Sequence, residues 1–451
     1  MSKQQTFTEG RIFAPLIRFA LPVLLALFLQ AMYGAVDLMV VGQFGGEMAD
    51  VYVSAVATGS QILMTLTVVI TGLAMGLTIY VGERIGAGKR EEAGQIIGSG
   101  IVLFAVCAAV MTAVMIFAAP AMALLMRAPQ EAFADTVGYV AICGGGTVFI
   151  VAYNLVGSIF RGIGDSKVPL LTVAIACVLN IAADLLLVAV WGMGASGAAI
   201  ATVFAQAMSV VLSLLLIRKR ALPFTFGKAS LRPHGGHIKT ILRLGTPIAL
   251  QDLLVSFSFL AITAIVNDLG LIASAGVGVA ERVCAFIMLI PSAYMQSMSA
   301  FVAQNMGAQR PDRARKALWY GIASSLVVGI IMWYVAFFHG DMLAGIFAKD
   351  APVIAAGAEY LKAYAVDCLL VAFLFCFIGY FNGCGRTTFV MVQGIVGAIG
   401  VRLPVSWLMS KMVPVSLFRV GLATPASSFV QILLCGLYFL WMHKKEKFTK
   451  F

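Results

Sequence analysis

Apolar residues run along this chain in long unbroken stretches, and polar residues fall mostly in the gaps between them. The stretches cover approximately 14–42, 51–81, 94–122, 134–160, 168–191, 195–218, 238–266, 271–304, 314–338, 353–381, 387–410 and 416–442. Each reaches the roughly 20 apolar residues that carry an α-helix across a bilayer. Closed β-barrels also span lipid, but they are built from short segments that alternate apolar and polar side chains. These runs do not alternate. The pattern predicts an all-α polytopic membrane protein with twelve transmembrane helices.

Composition agrees. Hydrophobic residues make up 61% of the 451 positions and charged residues only 11%, against about 25% charged in soluble domains. The first run is longer than the 7–15 apolar residues, roughly, of a signal peptide, and no clear cleavage site follows it. It is expected to be a retained span. Seven of the eight Cys lie in apolar runs, Cys384 lies in the gap before 387, and no CxxC occurs among them, so neither a zinc site nor a disulfide framework is signalled. His234, His237, His339 and His443 are expected in loops or the tail, which leaves no intramembrane His as a proton relay.

The net charge of +11 would point to nucleic acid in a soluble protein. Here it follows from the enrichment of Lys and Arg in cytoplasmic loops, and no nucleic-acid partner is expected. With the N-terminus inside, 24 of the 31 Lys and Arg fall on inner segments. The outer loops hold Arg127, Lys349, Lys362, Lys411 and Arg419, while Arg282 and Arg402 fall within spans. Both termini are therefore expected in the cytoplasm, with the chain in the plasma membrane.

The chain also repeats itself. "VGERIGAGKREEA" from Val81 is matched by "VAQNMGAQRPDRA" from Val302, 221 positions later. At the same offset "FRGIGDS" from Phe160 meets "FNGCGRT" from Phe381, and Pro22 and Pro247 align at a slightly larger one. "GAAIATVFAQ" from Gly197 faces "GLATPASSFVQ" from Gly421. Two six-helix halves follow: 1–217, a basic linker at 218–237 that carries Pro223 and Pro233, and 238–451 with a basic tail. Six is even, so the halves are parallel repeats about an axis along the membrane normal. Facing bundles of this kind enclose a central cleft that opens to alternate sides, which is transporter architecture. The repeated charged segments read as turn and topology signals after helices 2 and 8.

Ionisable groups in mid-bilayer cost about 2.5–3.5 kcal/mol on insertion scales and mark function. Asp37 stands eight residues, or ~12 Å, below the outer edge of helix 1 at 1.5 Å per residue. Asp184 in helix 5 and Thr202 in helix 6 each stand ~10 Å below that edge by the same rise. Asn180 lies one turn below Asp184 on the same face. Two carboxylates in a low-dielectric site repel, so one of them is fitted to bind and release a proton. With amide and hydroxyl oxygens they also suit a hard cation such as sodium. No other metal and no cofactor is expected.

The second half is less orderly. Glu281 and Arg282 adjoin in helix 8, Arg402 lies in the outer part of helix 11, Asp252 in the inner half of helix 7 and Asp367 in the outer part of helix 10. Structural ion pairing, including a Glu281–Arg402 bridge, and substrate contact are both open for them. The 22 Met and 30 Phe suit adaptable apolar pockets, though most such side chains face lipid or neighbouring helices.

The Leu21–Pro22 pair in helix 1, "VDLMVVGQFG" around Asp37, "RGIGDSKVP" after helix 4, "NIAADLLLV" in helix 5 and "GAAIATVFAQ" in helix 6 together resemble the MATE family of multidrug and toxin extrusion transporters. The resemblance covers nearly the whole chain. It implies a V-shaped pair of six-helix lobes that exports organic, often cationic, compounds against inward proton or sodium flow. Members with an N-lobe coupling site have an Asp in helix 1, an Asn and an Asp in helix 5 and a nearby Thr in helix 6, matched here by Asp37, Asn180, Asp184 and Thr202. Another branch has acids in helices 7 and 10, where Val255 and Val371 stand in this chain. Asp252 and Asp367 are each about one turn earlier, so the resemblance favours the N-lobe site.

A multidrug antiporter, working as a monomer on small organic substrates amid membrane lipid, is the leading expectation. A flippase for lipid-linked glycans is the nearest alternative, although a cavity rich in Arg would be expected of one. A membrane enzyme is disfavoured by the lack of an HExxH or GxSxG motif.

Overall fold

The computed structural model describes residues 7–218, 222–224 and 226–448. Lys3, Lys219, Arg220 and Lys450, counted above among the inner charges, lie outside the described residues. The spans are α1 Phe13–Phe44, α2 Gly46–Gly86, α3 Arg90–Phe117, α4 Phe133–Gly145 with Thr147–Ile163, α5 Lys167–Val190, α6 Gly194–Arg218, α7 Gly235–Asn267, α8 Leu271–Gly307, α9 Pro311–Phe338, α10 Ala351–Gly383, α11 Thr387–Ser410 and α12 Leu417–Lys444. All but α4 are long and apolar enough to cross a membrane as single stretches, and the two segments of α4 do so together, bent by 54°. No strand occurs among the described residues.

Several boundaries depart from the hydrophobic pattern for local reasons. The run 94–122 is two helices: α3 stops at Phe117 and a short helix, Ala119–Leu125, restarts with Pro120 in its first turn. Proline lacks the N–H that would continue α3. The second half has the same device, a short helix Gly340–Gly345 after α9. In α4 the bend falls at Gly146, where a Cβ would collide with Val203 of α6. His237 lies in the first turn of α7 and His443 near the end of α12, not in loops. All eight Cys are free.

Two compact packing units make up the described chain: one runs from Arg18 to Ala249, the other comprises Phe7–Ile17 and the chain from Leu250 onward. The borders fall inside α1 and α7, not in the linker. Both lie beside a helix-interior proline, Pro22 in α1 and Pro247 in α7. Each proline removes one backbone hydrogen bond and loosens the helix there.

Within the first unit the opening turns of α7 pack on α2 backbone to backbone. A Cβ on Gly76 would come 2.6 Å from the Gly245 nitrogen, and one on Gly245 would come 2.6 Å from the Leu73 Cα. Lipid tails are as apolar as leucine, so small residues that permit close approach hold such helices together. Helix α3 shows the matching division of faces: Phe104, Ala108, Met111 and Met115 are buried, whereas Val106, Val110, Val114 and Phe117 are exposed along the opposite stripe.

The repeat extends to backbone conformation. Gly88 and Gln309, 221 positions apart, both adopt left-handed φ values, +74° and +56°. Gly164 and Gly385 do the same at +85° and +71°. A glutamine in this region shows that the turn's geometry is held by its surroundings, since only glycine adopts it freely.

Gly76→Ala is expected to destabilise the protein by about 1–3 kcal/mol, the usual range for overpacking. Gly145→Ala, where a Cβ meets nothing within 4 Å, is expected to be neutral or slightly stabilising. Thermal unfolding in detergent, followed by size-exclusion chromatography, distinguishes the two; equal melting temperatures would contradict the close α2–α7 contact.

Candidate functional site

Helix α5 starts on a side-chain cap. The Asp165 carboxylate accepts hydrogen bonds from the backbone N–H of Lys167 at 2.9 Å and of Val168 at 3.2 Å, satisfying donors that a helix start leaves open. The helix stays α-helical to Asp184 and then widens into a π-helical stretch, Leu185–Val190. Asn180 and Asp184, four residues apart, share its buried face at 1% and 0% exposure. Asp37 on α1 and Thr202 on α6 are buried as well.

The structure brings these four residues together inside the first unit. Thr202 Oγ1 donates to Asp37 Oδ2 at 3.2 Å. Asp184 and Asn180 stand beside the Asp37 carboxylate without the geometry of a full hydrogen bond. Asp37 Oδ1, both Asp184 oxygens and both polar atoms of the Asn180 amide are buried with no protein hydrogen-bond partner. Buried polar groups are nearly always satisfied, so such a concentration of exceptions calls for a chemical explanation. Two unit charges 4 Å apart repel by about 4 kcal/mol at an effective dielectric of 20. The pair is therefore stable only with a proton or a cation shared between its members. Its oxygens, with the Asn180 and Thr202 oxygens, are the hard donors that sodium takes. Among the described residues no cluster of three or more His, Cys, Asp or Glu gathers for another metal.

A polar column continues from this cluster, and sequence reasoning did not single it out. One turn from Asp37 and Thr202 respectively, Tyr33 and Gln206 form a second rung between α1 and α6, with Gln206 Nε2 donating to Tyr33 Oη at 3.2 Å. Gln30 Nε2 donates to Tyr153 Oη of α4 at 2.8 Å. Tyr139, on the first segment of α4, reaches Thr202 and lies flat on Gly59, where a Cβ would strike its ring. The spacing of four from Asp37 and Thr202 was available in sequence for Tyr33 and Gln206. No comparable signal existed for Tyr139 or Tyr153, which are placed by the course of bent α4.

In the second unit the candidates separate. Arg402, the last residue of a π-helical stretch Val396–Arg402 in α11, is buried and donates from Nη1 to Ser258 Oγ at 3.1 Å. Its guanidinium lies 4.4 Å from the centroid of the Phe259 ring. Buried Asp367 lies within electrostatic reach of this guanidinium and near Ser428, with no ion pair or hydrogen bond joining it to either among the described residues. The expected Glu281–Arg402 bridge does not form: no ion pair joins them among the described residues, and Glu281 turns to Thr263. Arg282 is exposed and Asp252 half-buried, both away from this pair. Asp367 therefore has a buried guanidinium within electrostatic reach, whereas the Asp37–Asp184 cluster has no Lys or Arg among its members.

Comparison with known proteins agrees with this architecture. The MatE family model matches residues 22–186 and 247–408, once in each half, and the chain belongs to that family, whose members are membrane transporters. It is 26% identical over 441 residues, 96% of this chain and 94% of the relative, to the "Probable multidrug resistance protein YoeA" of Bacillus subtilis. It is 25% identical over 79% of its length, and 77% of the relative, to the "FAD transporter" of Shewanella oneidensis. A solved structure described as "Outward-facing conformation of a multidrug resistance MATE family transporter of the MOP superfamily" superposes with a TM-score of 0.90 at 20% identity, covering 100% of this chain and 99% of that one.

Removing one partner of a buried pair leaves an uncompensated charge, at a cost of about 3–5 kcal/mol. Arg402→Met is expected to lose that much stability, and Arg402→Met combined with Asp367→Leu to regain most of it. A double-mutant cycle on melting temperatures checks this, and additive losses would show that the two side chains are not coupled.

Proposed function

We propose that this MatE-family chain is a secondary active multidrug efflux antiporter of the plasma membrane. It exports organic, amphipathic, predominantly cationic compounds in exchange for an inward proton or sodium ion, by alternating access, and works as a monomer. The observation that carries the reading is the buried Asp37–Asp184 pair, gathered with Asn180 and Thr202 on α1, α5 and α6 and left with unpartnered oxygens. The drug-efflux class is supported by relatives named as multidrug resistance proteins.

The ion and the helices are coupled by charge. With neither proton nor cation the two carboxylates repel, and α1 and α5 are pushed apart at that level. With one ion bound, the carboxylates, the amide and the Thr202 hydroxyl draw the three helices together. An ion that binds the two arrangements unequally shifts the balance between them by its differential affinity. The π-helical turn directly after Asp184 gives α5 a place to change register, as such turns do at functional sites. Both termini lie on the cytoplasmic side in this reading, which the concentration of Lys and Arg on the loops of one side supports.

Purified protein in proteoliposomes, given a fluorescent organic cation and either a proton or a sodium gradient, tests the reading. Transport is expected under one of the two gradients. Asp37→Asn and Asp184→Asn are expected to abolish it, and Thr202→Val to reduce it about tenfold or more, with Thr202→Ser retaining most activity. Should neither gradient move any organic cation, the antiporter reading fails and the lipid-flippase alternative becomes the one to assay.

A further inference from the structure

The repeated charged segments hold more than a turn. Positions 84 and 92 of the first half correspond to 305 and 313 of the second at the 221 offset, and in both halves the two positions pair across the turn. In the first, Arg84 Nε meets Glu92 Oε1 at 3.2 Å. In the second the arginine has changed sides: Arg313 Nε donates to Asn305 Oδ1 at 3.2 Å. Asparagine is neutral, so it does not neutralise Arg313, whose remaining N–H groups are turned to the segment ahead of α1. Nη1 donates to Gly10 O at 2.8 Å, and Nη2 to Phe7 O at 3.1 Å and Glu9 O at 3.2 Å. Arg310 Nη1 adds a bond to Thr8 O at 2.6 Å, and Asn305 Nδ2 one to Phe7 O at 3.3 Å. The Phe7 ring is buried 5.0 Å from that of Phe301.

This arm, Phe7–Ile17, packs with the second unit although it leads into α1, which from Arg18 onward belongs to the first. The first unit holds the reciprocal arm, the start of α7. There the grip is of another kind: glycine-to-backbone packing of Gly72 and Gly76 on Ala249 and Gly245, with Tyr80 Oη 3.0 Å from His237 Nδ1. That contact is interlocked and largely apolar. The N-terminal grip is a set of charge-assisted hydrogen bonds to backbone carbonyls, and Glu9 and Gly10 are exposed. The Phe7 end is buried, but the bonds at Thr8, Glu9 and Gly10 are exposed and water can replace them one for one, so this stretch of the arm is the one built to let go.

We propose that Asn305, Arg310 and Arg313 form a latch for the arm Phe7–Gly10, and that the latch opens and closes in each transport cycle. Because α1 carries Asp37 in one unit and is anchored through its arm to the other, an ion-driven shift of α1 pulls on the latch. The proposal rests on the antiporter reading for its driving force and on the contacts above for its parts.

The test uses the full-length protein with its native cysteines replaced. Thr8→Cys and Gln309→Cys, beside Arg310 so that all three latch residues are kept, are introduced together and joined by a short reducible thiol cross-linker. Joining them is expected to stop gradient-driven efflux at least tenfold, and reduction to restore it. In a second measurement, Thr8→Cys alone is labelled with a water-soluble maleimide. Labelling is expected to accelerate several-fold in Arg313→Ala, and to change with pH or sodium in the parent but not in Asp37→Asn. Efflux at the unlinked rate after cross-linking, or labelling indifferent to ion conditions, would make the contact a static strap and overturn the latch. Ion-dependent labelling in a protein that moves no organic cation would support the latch and count against the drug-efflux reading instead.

Discussion

A carboxylate buried in a bilayer persists only if something offsets its charge: a proton, a cation or a sufficient set of donors. This chain meets that constraint in two different ways. In the second unit Asp367 has the buried guanidinium of Arg402 within electrostatic reach, itself held by Ser258 and the Phe259 ring. In the first unit Asp37 and Asp184 have one hydroxyl bond between them and no cation in their cluster. In the antiporter reading proposed above, the charge that completes the first site is the coupling ion. The same half-satisfied arrangement would be a defect in a protein whose only task was to stay folded.

Glycine sets the second condition. Close backbone approach at Gly76 and Gly245 ties the start of α7 to α2, and Gly146 allows α4 to bend against α6 and carry Tyr139 toward Thr202. Helices in lipid gain nothing from hiding apolar surface from one another, so contacts of this kind and the polar rungs between α1 and α6 supply the cohesion. Proline at 22 and 247 marks where α1 and α7 leave the packing of one unit for the other. Each helix thus has turns in both units and is weakened at one point near the change.

Duplication produced two halves with the same turns, and divergence then gave them different tasks. The pair at 84 and 92 is a closed ion pair, while its counterpart at 305 and 313 leaves a guanidinium free to bind a peptide backbone. At this turn both residues differ between the halves, and the contact changes from an ion pair closed on itself to a guanidinium that also takes backbone carbonyls of the arm.

Much of this was legible in the order of residues. Hydrophobic runs determined the number and limits of the spans, because lipid requires every backbone group to be bonded within a helix. The repeat and the depth of Asp37, Asn180, Asp184 and Thr202 followed from counting residues at a fixed rise per residue. Proline and glycine breaks inside apolar runs were missed at Ala118 and Gly146, since hydropathy does not register backbone strain. Only the tertiary structure decided which residues meet. It set Arg402 on Ser258 and the Phe259 ring and not on Glu281, added Tyr139 and Tyr153 to the polar column, and seated Phe7 on Asn305, 298 positions further along. Such partners lie on different helices, and their choice depends on rotation and packing that no periodicity within one segment encodes.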